Sequence, residues 1–180
     1  MNRSWMKPLA IAAFALSLAT PLGALAATGD ATSVTVTGGT LTSTTPLAND
    51  FPGVTIDGAS HSPTAALATF SVSDLTGTGA GWHVTAGATQ FTGASHSLAV
   101  GSLELSQPTV AANGTTSADP TINIGPYTID NGAVTIASAA VGAGMGNYDF
   151  SATTLTLAIP ADVYADTYTS TVTITVVTGP

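Results

Sequence analysis

From residue 167 to residue 177 the chain reads Thr-Tyr-Thr-Ser-Thr-Val-Thr-Ile-Thr-Val-Val. Val172, Ile174 and Val176 share one parity, and Thr171, Thr173 and Thr175 share the other. Side chains on an extended backbone alternate between faces, so this pattern predicts a half-buried strand. The same period recurs elsewhere. Residues 32–37 read Thr-Ser-Val-Thr-Val-Thr, residues 66–75 place Phe70 and Val72 together, and Trp82, Val84 and Ala86 alternate with His83 and Thr85. No segment beyond residue 26 holds a helical period for three turns. About eight short strands with turn residues between them predict an all-β fold, an antiparallel β-sandwich of Ig-like or Greek-key type.

The connections are read from glycine, proline and asparagine. Residues 76–81, Thr-Gly-Thr-Gly-Ala-Gly, predict a turn joining a hairpin over residues 66–86. Asn131-Gly132 predicts a second hairpin between strands at residues 127–129 and 133–137. Leu98 and Val100 change parity to Leu103 and Leu105 across Gly101, which predicts a bulge at Gly101-Ser102. Tyr148 and Phe150 change parity to Leu155, Leu157 and Ile159, which predicts a bulge or a switch of sheet near Thr153. Residues 40–65 and 107–120 read as irregular or polar loop, and residues 141–146, Val-Gly-Ala-Gly-Met-Gly, as a flexible one.

The N-terminus sets the compartment. Arg3 and Lys7 precede an apolar run at residues 9–19, then Pro21, Gly23 and the small residues of Ala24-Leu25-Ala26. This is the layout of a helical signal peptide at residues 1–26, cleaved after Ala26, with one domain over residues 27–180. The apolar run is about half the length of a membrane span, so no membrane insertion is expected once the leader is gone. Without cysteine there is no lipid anchor. The C-terminal residues 176–180 show no sortase-type signal or apolar span. The expectation is a secreted protein held at the cell wall or cell surface by non-covalent contacts.

Arg3 and Lys7 are the chain's only cations, so residues 27–180 carry ten carboxylates against no lysine or arginine, a net charge of −10 with histidines neutral. Phosphate neutralisation needs lysine or arginine, so nucleic acid is excluded as a partner. Catalysis also lacks its usual parts. There is no Gly-x-Ser-x-Gly, no cysteine nucleophile, and a single glutamate, Glu104. The chain reads as a non-enzyme without catalytic residues or cofactor. His61, His83 and His96 are too far apart in sequence for a zinc site, and no EF-hand loop is present, so no metal is expected. A calcium ion gathered by loop carboxylates such as Asp162 and Asp166 stays as an alternative.

Residues 74–84, Asp-Leu-Thr-Gly-Thr-Gly-Ala-Gly-Trp-His-Val, resemble the first signature of the WxL domain, the cell-wall-binding module of Gram-positive surface proteins. That signature is an aspartate, a glycine-rich turn and Trp-x-Leu. Ile159-Pro160-Ala161, the tyrosine-led strand from Tyr168 and the terminal Pro180 resemble the closing signature. Val84 stands where the family has leucine, and Ile174-Thr175-Val176 stands where it has the second Trp-x-Leu. The resemblance covers residues 30–180. It implies a β-sandwich that binds peptidoglycan or other surface proteins. The ligand-binding residues it implies are Trp82, His83 and Val84, with Ile174, Thr175 and Val176 as a degenerate second motif. An indole can stack on a sugar ring, but the parity of Trp82 with Val84 also suits a core anchor. The rival reading is a structural subunit of a pilus, fibre or surface layer, built by self-assembly along exposed strand edges.

Overall fold

The computed structural model describes residues 29–180. The expected leader lies outside the described residues. Residues 36–180 form one compact unit, and residues 29–35 are grouped apart from it. Among the described residues every regular element is a strand, and no helix is long and apolar enough to cross a membrane.

Twelve strands form three antiparallel sheets in a sandwich-like arrangement. The first sheet has the order β1 (Leu41–Ser43), β3 (Phe70–Asp74), β10 (Gly146–Phe150), β6 (Val110–Asn113). The second has β2 (Thr64–Leu67), β11 (Thr153–Leu157), β5 (Leu103–Leu105), β8 (Tyr127–Thr128). The third has β12 (Val172–Thr178), β4 (Trp82–Ala88), β9 (Val134–Ala139), β7 (Thr121–Ile122).

The first two sheets share their central segments. Phe70 lies opposite Phe150, and Leu67 lies opposite Thr153, so one register runs through both pairs. Only the two residues between the paired stretches on each chain interrupt it. The flanking segment behaves alike: Val110 opposes Phe150, and Leu105 opposes Leu155. Burial changes parity at the interruption. Tyr148 and Phe150 are buried on one side of it, and Thr153, Leu155 and Leu157 on the other. The expected switch of sheet near Thr153 is therefore present. It is a twist that keeps register, not a slip of it. Phe70 and Phe150 stack at this point, centroids 4.5 Å apart and planes 8° from parallel. Cross-strand aromatic pairs of this kind add about 0.5–1.5 kcal/mol beyond the area they bury.

Several expected connections are replaced. β3 and β4 do not form a hairpin, because β3 pairs with β1 and β10 while β4 pairs with β12 and β9. Residues 75–81 instead carry the chain from one sheet to another. No hairpin forms at Asn131-Gly132 either: β8 pairs with β5, and β9 pairs with β4 and β7. The Asp130 carboxylate explains this, since it accepts the Gly101 and Ser102 amides at 3.0 Å each and ties its strand to the start of β5. Gly101, with φ of 91°, sits in a turn before β5, not in a bulge. Residues 107–120 contain strand β6. Residues 32–37 form no strand and are exposed.

A surface turn pairs a carboxylate with an imidazole. Asp57 accepts the Ala59 amide and the His61 Nε2, each at 2.9 Å, and His61 bridges to Ile159 on the strand side. The Ala59 amide first, then His61, hold the Asp57 carboxyl below the usual range. A depressed carboxylate favours the folded turn above its ordinary pKa, and this support is lost as pH falls through the depressed value. Carboxyl NMR titration should find Asp57 ionising below the ordinary aspartate value. The His61→Ala variant should bring it part of the way back.

Candidate functional site

The motif segments predicted from sequence meet in the third sheet. Trp82, His83 and Val84 on β4 lie opposite Thr178, Val177 and Val176 on β12, and Thr85 and Ala86 lie opposite Thr175 and Ile174. Two segments nearly a hundred residues apart in sequence thus form adjacent antiparallel strands. The C-terminal end is stitched further: the Gly179 amide donates to the Gly81 carbonyl at 2.9 Å, and His83 Nδ1 pairs with the Gly179 carbonyl at 2.6 Å.

Trp82 faces inward and is fully buried. Its Nε1–H donates to the Gly144 carbonyl at 2.8 Å, so the indole's polar atom is satisfied inside the core. The ring lies 6.0 Å from that of Tyr148, inclined by 59°. The Tyr148 hydroxyl in turn donates toward the Ser117 and Ala118 carbonyls at 3.2 and 3.1 Å. In this conformation Trp82 presents no surface to a ligand.

The glycine-rich turns exist to admit this indole. Gly144 has φ of 71°, and a Cβ there would lie 2.3 Å from the Ala139 Cβ and 2.7 Å from the Trp82 Nε1. Gly81, with φ of 75°, would bring a Cβ to 2.4 Å from the Ala139 carbonyl oxygen. The two glycine-rich loops also join, the Gly142 amide donating to the Gly79 carbonyl at 2.8 Å. Residues 141–146 are therefore pinned, not a loose loop. Thr115 Oγ1 adds a bond to the Met145 carbonyl at 2.6 Å, and the Gly144 amide one to Ala118 at 3.0 Å. Asp74, the aspartate of the first signature, is buried and builds the entry to the turn. Its Oδ1 accepts the Thr76 hydroxyl at 2.6 Å and the Thr76 amide at 3.1 Å.

The opposite side of the same strands faces solvent. Thr173, Thr175 and Val177 of β12 lie beside His83 and Thr85 of β4, and then Thr135 and Ser138 of β9. Thr121 of β7 stands opposite Ser138 at the far edge. The residues named on this face carry hydroxyls, one imidazole and one exposed valine, Val177, and no carboxylate. Of this face the sequence motifs name only His83 and Thr175, and not Thr85, Thr173, Val177, Thr135, Ser138 or Thr121. They also miss Gly144 and Tyr148 behind the tryptophan. The repeated Gly-x-Gly spacing at residues 77–81 and 142–146 was the available signal for Gly144. Among the described residues no three histidine, aspartate or glutamate side chains gather in a way that could hold a metal ion.

The family model described as WxL domain, surface cell wall-binding, matches residues 30–180. The chain belongs to the WxL family. No curated protein and no solved structure matches it. Membership places this WxL domain among surface proteins that bind the cell wall. The fold gives its signatures a structural meaning. The Asp74 turn, the glycine-rich loop, Trp82 and the closing strand of this WxL domain are neighbours around one buried indole.

Proposed function

We propose that the chain is exported with residues 1–26 removed and holds peptidoglycan non-covalently through the outward face of the third sheet. The observation that carries this reading is the neutral hydroxyl surface on the two motif strands, with Thr85, Thr175, Thr173 and Thr135 side by side and no charged side chain among them. A glycan or stem peptide presents hydroxyl, amide and carbonyl groups that such a face can pair. Trp82 supports the face from behind by fixing β4, and His83 and Val84 act as its positioning neighbours. Ile174 and Val176 pack inward while Thr175 faces out. No reaction is part of this role, and no cofactor is needed.

Attraction between opposite charges contributes little here, because residues 29–180 contain no lysine or arginine. Binding to purified sacculi should therefore change little across a salt series. Co-pelleting of the chain lacking residues 1–26, with and without EDTA, checks this. Thr175→Glu and Thr85→Glu should each lower retention about tenfold, equivalent to about 1.4 kcal/mol, with unchanged circular dichroism. Thr154→Glu, on the exposed side of β11, serves as the control. Equal retention of parent and face variants, or release at moderate salt without chelator, contradicts the reading.

A further inference from the structure

Within residues 36–180 a groove of about 960 Å³ runs between the segments at residues 48–56 and 163–170. Its floor is apolar. Phe91, Leu98, Leu155 and Leu157 line it and belong to the buried core. Both walls are fixed to the body. On one, Phe51 meets Phe91 edge to face with centroids 5.9 Å apart, and the Asn49 amide donates to the Ala66 carbonyl at 2.9 Å. On the other, the Tyr168 hydroxyl donates to the Tyr164 carbonyl at 2.9 Å. The Tyr164 ring stacks on His96, centroids 3.8 Å apart and planes 12° from parallel. An apolar groove already formed to this size suits a ligand, because little ordering remains to oppose binding.

Charge narrows the occupant. Asp50 stands on one wall and Asp166 on the other. Asp166 is held in place: its Oδ1 accepts the Thr167 amide at 2.8 Å, and its Oδ2 lies where a Cβ on Gly93 would come within 2.3 Å. Residues 29–180 contain no lysine or arginine to pair with either carboxylate. A second copy of so acidic a chain would set like charge against like. A glycan, rich in hydroxyls, would leave the leucine floor unfilled.

We propose that the groove takes an extended segment of another protein in which leucine-sized side chains alternate with lysine or arginine. Alternation directs the apolar side chains to the floor and the cations toward the carboxylates of the walls. Burial on the floor supplies the attraction, and the charges select the partner. The groove shares no residue with the hydroxyl face of the third sheet, so the two contacts are separable.

Acetylated hexapeptides that alternate leucine, valine or phenylalanine with lysine, glutamate or serine, arrayed and probed with the chain lacking residues 1–26, test it. The tightest lysine peptide should bind at one site by calorimetry, and its glutamate counterpart about tenfold more weakly. Asp50→Asn/Asp166→Asn should weaken the lysine peptide about fivefold, leave the serine peptide unchanged and keep the parent's circular dichroism spectrum. Added salt should weaken the lysine peptide, in contrast to retention on sacculi. Thr175→Glu should leave the peptide site intact. Failure of every lysine peptide to bind overturns the proposal, including the case where a second copy or residues 29–35 fill the groove. Equal binding of lysine and glutamate peptides, or unchanged affinity in the double asparagine variant, overturns it as well. Loss of sacculus retention with peptide binding intact would fault the wall-binding reading alone.

Discussion

The Trp82→Ala variant should fail to fold, or should unfold at the lowest urea concentrations. Truncating a buried tryptophan costs about 3–5 kcal/mol. Here the Gly144 carbonyl also loses the Nε1–H that satisfies it at 2.8 Å, a further penalty of about 1–3 kcal/mol for a buried acceptor. Together these approach the whole stability of a typical domain, about 5–15 kcal/mol. Trp82→Phe keeps an aromatic body against Tyr148 but removes the donor and part of the volume. It should remain folded and lose about 1–3 kcal/mol. Urea denaturation followed by far-ultraviolet circular dichroism measures both. If the tryptophan served a ligand and not the core, the alanine variant would keep its parent's midpoint and lose only sacculus retention.

Gly144→Ala should cost about 2–5 kcal/mol, combining a left-handed backbone position with overpacking. The added methyl would sit 2.3 Å from the Ala139 Cβ and 2.7 Å from the Trp82 Nε1 at φ of 71°. Both neighbours are buried, so neither can move aside cheaply. Gly142→Ala separates the two contributions. Its φ is 82° with no atom within 4 Å of the new methyl, so it should show only the backbone penalty of about 1–2 kcal/mol. The difference between the two urea midpoints, converted through a common m-value, reads the clash alone. Equal losses would mean that the indole does not fill the space behind Gly144.

Periodicity revealed β4 and β12 because each carries its pattern over seven residues and because one face of each meets the core. The sheet switch near Thr153 was legible for the same reason, since burial parity must invert where the covered face changes sides. The partners of each strand were not legible. Residues 66–75 and 82–88 look like a hairpin in sequence, yet β3 continues the long register shared with β10, and a local turn signal cannot report so distant a partner. Asn131-Gly132 failed as a hairpin marker because Asp130 draws its strand to Ser102, a contact between side chain and backbone that no periodicity reveals. Strand β6 was hidden in a polar stretch because Ala111, Ala112 and Asn113 are exposed, which leaves no apolar alternation to read. At the candidate site the family signature implies that Trp82 contacts ligand, whereas the indole is buried, as its parity with Val84 suggests. The hydroxyl face was only half visible, because the strands that carry Thr135 and Thr121 read as strands but nothing in their local pattern places them beside β4.

The unbroken register through β2 and β3 has a consequence for the order of events during synthesis. Its other half, β10 and β11, is made much later, and the neighbour of β4 on the third sheet comes last of all, at residues 172–178. A growing polypeptide that has reached residue 140 therefore holds half a ladder and cannot close around Trp82. Such remote pairings make folding slow, and a partly made chain of this kind exposes apolar strand edges until their partners arrive. The final residues, 172–178, thus act as the clasp that closes the third sheet over the indole.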